Sequence, residues 1–255
     1  MIKKDRSIEM IHIIFTLAGS YQRFKSEGFR KPKFFLPIFG FSSILDKIVE
    51  GFVKGQINVC LNYIFNETDK NYIDHEYICK ISRGKPNNVF FTENTNGQAE
   101  TVRVCLEKMS IANPETDFDN DIFFVMNGDT IFDPHFSELC RAFSQNKDSV
   151  ALVDIFYSKS KDHSYVHINE NGEISKMVEK KVISPFASTG LYGFKTSKIF
   201  LSTISNIRNT KQEVHVSHVI DKMIKSHQAI AILDFADKEV LDLGTPEKYF
   251  NYLKN

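Results

Sequence analysis

Ile11-His12-Ile13-Ile14-Phe15-Thr16-Leu17 runs directly into Ala18-Gly19-Ser20. The run is mostly apolar, rich in β-branched residues and without polar alternation. That pattern suits a strand buried on both faces of a sheet. The small residues after it mark a turn. Working outward, Ile44 to Val53 reads as a helix, with Ile44, Leu45, Ile48, Val49 and Phe52 on one face. Ile57 to Ile64 is a second strand, Thr68 to Ser82 a helix and Asn88 to Thr92 a third strand. Gln98 to Ile111 is a helix and Asp121 to Met126 a further buried strand. Alternation of this kind implies right-handed crossovers and a mostly parallel sheet with helices on both faces.

The second half is less regular. Val150 to Phe156, Tyr165 to Ile168, Glu173 to Val178 and Leu191 to Phe194 read as strands, with Asn171-Gly172 as a hairpin turn. Helices are expected at Lys198 to Ile207, Val214 to His227 and Pro246 to Leu253. Short strands are expected at Ile230 to Leu233 and Glu239 to Leu241. The fold class is α/β: a Rossmann-like, mostly parallel mixed sheet flanked by helices, in one domain over residues 1–255.

Composition narrows the function. Lys plus Arg is 32 and Asp plus Glu is 32, so no global basic field exists to hold a nucleic acid. Cys60, Cys79, Cys105 and Cys140 show no Cys-x-x-Cys spacing and read as buried, reduced thiols. The apolar run behind the charged opening residues is too short for a membrane span, and no signal-peptide cleavage site follows it. A cytoplasmic protein with no membrane association is expected. Oligomeric state is not legible, and a homo-oligomer is left open.

Chemistry gathers where strands end. After Leu17, Arg23, Lys25, Arg30, Lys31 and Lys33 lie within eleven residues. Backbone N–H groups in a turn beyond a parallel strand form an anion nest, and cations complete it, which suits a triphosphate. The bland alternative is a solvated basic loop. Further on, Phe124-Val-Met-Asn127-Gly128-Asp129 delivers a carboxylate at a strand tip, where a hard oxygen ligand can hold Mg²⁺ beside phosphates. The alternative there is an ordinary turn aspartate. His215 and His218, at i and i+3, lack a supporting metal-ligand cluster and read as surface or core histidines.

The first of these segments resembles the N-terminal signature of the sugar-phosphate nucleotidylyltransferases, L-A-G-x-G-S-R-F followed by P-K-x-L-x-P-I. Leu17, Ala18, Gly19, Arg23, Phe24, Pro32, Lys33, Leu36, Pro37 and Ile38 match. Gly28-Phe29 before Pro-Lys looks most like the branch found with capsule and surface-polysaccharide genes. Tyr21 departs from the pattern, standing where the family has its second glycine. Further matches are Asn127-Gly128-Asp129, Asp242-Leu-Gly-Thr-Pro-Glu247, the Gly97-x-Ala stretch, Glu179-Lys180 and Thr189-Gly190-x-Tyr192. The stretch between the last two is shorter than in the usual sugar enzymes.

The resemblance implies a GT-A-like, nucleotide-diphospho-sugar transferase fold. It implies a nucleotide-binding half over about 10–135 and an acceptor half over about 136–255. Arg23 and Lys33 would be catalytic. Leu17, Ala18, Gly19, Ser20, Gly97, Gln98, Asn127 and Gly128 would bind nucleotide. Glu179, Lys180, Thr189 and Gly190 would bind the acceptor, and Asp129 and Asp242 would hold Mg²⁺. The expected partners are a nucleoside triphosphate, CTP slightly favoured, and a phosphorylated small molecule, with pyrophosphate released. A role in surface-polysaccharide precursor synthesis follows from the branch. Two alternatives stand beside it: a GT-A-type glycosyltransferase using a nucleotide sugar, and a non-catalytic nucleotide-binding homologue prompted by Tyr21.

Overall fold

A computed structural model describes residues 10–114, 121–207 and 212–254. In chain order the first half contains β1 (Ile11–Leu17), α1 (Gln22–Ser26), α2 (Ile44–Val53), β2 (Val59–Asn66), α3 (His75–Ile81), β3 (Asn87–Thr92), α4 (Gln98–Ala112) and β4 (Phe123–Asn127). There follow β5 (Thr130–Ile131), α5 (Phe136–Gln145), β6 (Ser149–Tyr157), β7 (Tyr165–Ile168), β8 (Ile174–Val178) and β9 (Phe186–Phe194). The chain continues through α6 (Ser197–Ser205), α7 (Val216–Met223), β10 (Gln228–Ile232), β11 (Leu241–Asp242) and α8 (Pro246–Lys254).

The main sheet runs β10-β6-β9-β4-β1-β2-β3, with the β7–β8 hairpin attached to β9. β1 pairs in parallel with β2 on one side and β4 on the other. β9 alone is reversed within the main order, antiparallel to both β4 and β6. The sheet is therefore mixed and mostly parallel. Ile13, Phe15 and Leu17 pack into one core and Ile14 into another, on the opposite face. This alternation explains the apolar character of β1: successive residues face different layers, and both layers are dry. The first core takes α2, α3 and α5; the second takes α4, α6 and α7.

Several elements differ from the sequence reading. The helix expected over Thr68 to Ser82 is split into a 3-10 turn, Glu67–Tyr72, and α3. Two caps compete there. Asn66 accepts from the Thr68 N–H at 3.0 Å, and Asp74 accepts from the Glu76 N–H at 2.9 Å, each starting its own helix. α5 was not among the expected helices. Its Phe136, Leu139 and Phe143 are buried at helical spacing. β9 extends well before Leu191, because Gly190 at φ +89 carries the strand through an irregularity in its pairing with β6. Cys60 and Cys105 are buried as expected, but Cys79 is exposed and Cys140 half-buried; all four are free thiols.

Candidate active site

β1 and β4 stop side by side, with Thr16 opposite Asn127. Beyond them lies a cavity of about 220 Å³. Leu17 and Gly19 line it from the end of β1, Gln98 from the first turn of α4, and Asn127, Gly128 and Asp129 from the end of β4. Lys33 closes one side. Close packing sets this floor. Gln98 Nε2 donates to Thr16 Oγ1 at 3.1 Å and to Asn127 Oδ1 at 2.5 Å. The Asn127 amide lies against Gly190, where a Cβ would collide with it. A Cβ on Gly128 would strike the Leu17 side chain.

Lys33 opens a short 3-10 turn, Lys33–Phe35, after Pro32. Its Nζ lies 2.5 Å from Asp129 Oδ2, and Thr130 Oγ1 lies 3.3 Å from Asp129 Oδ1. Burial works to raise the Asp129 carboxyl. The Lys33 ammonium, the Thr130 hydroxyl and the charge of Lys248 outweigh it and hold the group below the usual carboxylate range.

Asp242 joins Asp129 through local backbone pairing. β11 pairs antiparallel with β5, placing Asp242 opposite Thr130, and the Leu243 N–H donates to the Asp129 carbonyl at 2.8 Å. Both carboxylates reach the same point beside Gly244. A Cβ there would lie 3.0 Å from Asp242 Oδ1 and 3.1 Å from Asp129 Oδ2. Such a pair fits Mg²⁺, which takes one or two carboxylates and fills its other positions with phosphate oxygens and water. Among the described residues no group of three or more His, Cys, Asp or Glu could hold a metal. A cation here would therefore lean on substrate oxygens.

A second, strongly polar pocket of about 100 Å³ shares Gln98 and Asn127 with the first. Glu179, Thr189, Gly190, His163 and His215 line it. Glu179 Oε2 accepts from the hydroxyls of Ser164 and Ser217, and His215 Nδ1 lies 3.9 Å from Oε1. Burial would raise the Glu179 carboxyl, but those hydroxyls with the charges of His215 and Lys180 keep it below its ordinary range. His215 and His218 also cap α7, the His215 N–H donating to His218 Nδ1 at 3.2 Å.

Other residues singled out by sequence lie outside both cavities. Ala18 is buried, Ser20 is exposed, and Arg23 stands exposed on α1. Lys180 is exposed at the end of β8, at φ +52, with its N–H donating to the His163 carbonyl at 3.1 Å. Gly97 has a packing reason of its own. At φ +100 a Cβ would meet the Val214 backbone N and O at 2.7 Å. Gly97→Ala is expected to destabilise the protein by about 1–3 kcal/mol from the backbone strain alone. Chemical denaturation measures it, and an unchanged unfolding midpoint would refute that packing role.

Tyr21 does not enter the cavity. Its ring is buried and its hydroxyl donates to Asp69 Oδ1 at 2.7 Å. The residue that departs from the glycine pattern therefore anchors the loop from below. Ionisable groups that the sequence reading missed include Lys248, Asp162 and His163 beside the site, and the buried pair Asp154–Lys238. A signal existed for two of them. Lys248 follows Gly244-Thr245-Pro246-Glu247 directly, and Asp154 is a charge in the middle of an apolar strand.

The sequence matches a family described as Nucleotidyl transferase over residues 19–255. No curated protein matches it. Among solved structures, a nucleoside-diphosphate-sugar pyrophosphorylase from Vibrio cholerae is similar, with a TM-score of 0.78 and 21% identity. That match covers 95% of this chain and 100% of the other. An inositol-1-phosphate CTP transferase from T. maritima gives 0.73 and 17%, covering 97% and 96% of the two chains. An apo UDP-glucose pyrophosphorylase gives 0.73 and 17%, covering 96% and 97%. At these identities the likeness is one of fold. Among the described residues no helix is long and apolar enough to cross a membrane.

Proposed function

The chain belongs to the nucleotidyl transferase family, and from that premise we propose that it joins a nucleoside monophosphate to a phosphorylated small molecule. An acceptor phosphate oxygen attacks the α-phosphorus of a nucleoside triphosphate. The bond from that phosphorus to the β-phosphate oxygen breaks, and pyrophosphate leaves. One observation carries the reading: Asp129 and Asp242 converge beside Gly244 while Lys33 bonds Asp129 from the edge of the cavity beyond β1 and β4.

The phosphate is already a nucleophile at neutral pH, so no dedicated general base is required. What remains for the protein is positioning and charge neutralisation. Lys33, at the cavity edge, would meet the α-phosphate and the incoming oxygen. Arg23, exposed on α1, would meet the β and γ phosphates. Glu179, Thr189 and Gly190 would shape the acceptor pocket, and Lys180, exposed beyond β8, would meet the acceptor phosphate. Leu17, Gly19, Gln98, Asn127 and Gly128 form the nucleotide floor. Asp129 and Asp242 would hold Mg²⁺, which when bound neutralises polyphosphate charge.

CTP is the nucleotide proposed, on the short acceptor segment and the capsule-type Gly28-Phe29 pair. The product would be an activated precursor for surface polysaccharide. The test is a pyrophosphate-release screen of four nucleoside triphosphates against a panel of phosphorylated acceptors. Release is expected only with a divalent cation. Asp242→Asn is expected to lower it on the order of a hundredfold, the scale for losing one group that stabilises transition-state charge. Release of a nucleoside diphosphate from a nucleotide sugar instead would make the protein a glycosyltransferase. Nucleotide binding with no release from any pair would make it a non-catalytic homologue.

A further inference from the structure

Lys248 grips two carboxylates at once. Its Nζ lies 2.5 Å from Asp242 Oδ2 and 2.8 Å from Asp162 Oδ2. Asp242 is fully engaged by this, since Oδ1 accepts the Gly244 N–H at 2.8 Å. A divalent cation drawn to Asp242 must compete with the ammonium for that carboxylate. The ammonium would keep its second seat, on the more exposed Asp162.

Asp162 sits in the loop between β6 and β7, and the two residues after it build the polar pocket. His163 lines that pocket and also the cavity of about 580 Å³ beside Asp242 and Lys248. Its carbonyl accepts the Lys180 N–H, and Ser164 donates to Glu179. The ion pair from Lys248 is thus a tie between α8 and the wall of the acceptor pocket.

We propose that Lys248 is a positioning residue that gives up Asp242 and keeps Asp162 when a divalent cation binds, so that metal binding concentrates its ion pair on the acceptor-side loop and tightens it. The inference rests on the metal reading of Asp129 and Asp242 given above. It makes the site sequential. With Asp242 taken by the cation, Lys248 holds Asp162 alone, and the acceptor meets a firmer pocket wall.

The test uses Mn²⁺ alone with the full chain. Free Mn²⁺ is followed by electron paramagnetic resonance, and hydrogen exchange is read at the Lys180 amide. Lys248→Met is expected to bind Mn²⁺ at least about threefold tighter than the parent, because a competing cation is gone. Asp162→Asn is expected to bind it more weakly, because the ammonium is left with Asp242 as its seat. Lys248→Arg should keep parental affinity, since it retains the charge. Mn²⁺ should slow Lys180 amide exchange in the parent and leave it unchanged in Lys248→Met and Asp162→Asn. Mn²⁺ binding in Lys248→Met no tighter than in the parent overturns the proposal, as does parental exchange indifferent to Mn²⁺. Parent and Asp242→Asn binding Mn²⁺ equally would remove the metal reading itself. Affinity that depends on Asp242 yet ignores Lys248 removes only the part given to Lys248.

Discussion

Lys33→Ala is expected to lower the turnover number for pyrophosphate release by about 10²–10³-fold, the scale for losing one preorganised group aimed at developing charge. The physical case starts from place. Pro32 leads into the turn that carries Lys33, and the ammonium ends 2.5 Å from Asp129 at the edge of the nucleotide cavity. In the reaction, negative charge builds on the oxygens around the α-phosphorus as the acceptor oxygen approaches. An interaction made more strongly then than in the ground state changes kcat more than KM. The nucleoside triphosphate KM should therefore move far less than kcat. Lys33→Arg should recover little, because a planar guanidinium is no substitute for a compact point charge. The melting temperature should fall by only a few degrees, as Lys33 and Asp129 both retain access to water. Turnover within about threefold of the parent would deny Lys33 a part in catalysis.

Lys238→Met should cost about 3–5 kcal/mol of stability, the range for removing one partner from a buried ion pair. Lys238 pairs with Asp154, whose side chain is fully buried in β6. Thr189 Oγ1 donates to Asp154 Oδ2 at 2.8 Å and is the group left to satisfy the carboxylate. Burial raises the Asp154 carboxyl above its ordinary 3.8, against the pull of Lys238. Without that ammonium the rise grows. The folded state then holds a proton that the unfolded chain gives up. Stability from this group is complete below pH 3.8 and falls as pH rises through the folded value. Denaturation of Lys238→Met should accordingly be easier at neutral pH than at mildly acid pH. Asp154→Asn in the same background should restore much of the loss, since the amide oxygen still accepts from Thr189 without a charge. A double variant no more stable than Lys238→Met at neutral pH would place the damage in packing. Thr189 lines the polar pocket proposed for the acceptor, so on that reading acceptor binding should weaken in the single variant as well.

Local signals in the chain were well preserved in the fold. The run Ile11 to Leu17 is a strand with a core on each side, as unalternated apolar residues demand. α2 and β7 occupy the stretches read from periodicity. Asn171-Gly172 turns the β7–β8 hairpin, with Gly172 at φ +79. Periodicity failed where two caps divided one apolar stretch, at Asn66 and Asp74, and where β9 ran on through Gly190. At the site, each acidic residue was legible alone through its neighbours, but their meeting was not. It depends on backbone pairing between residues more than a hundred positions apart. Lys248 with Asp162, and Lys238 with Asp154, are separated by 86 and 84 positions. No window of local sequence contains such pairs. Tyr21 shows the reverse case, a visible departure from a glycine pattern whose side chain leaves the cavity untouched.

The β5–β11 ladder has a bearing on how the protein is made. Asp129 is synthesised 113 residues ahead of its companion, which arrives later on a strand of two residues. A ribosome that stalls before residue 242, or a nonsense codon there, yields a nascent chain that still contains β1 to β4 and their nucleotide floor. Under the proposed chemistry, such a partial polypeptide would lack one of the two acids, whatever else of the sheet it contained.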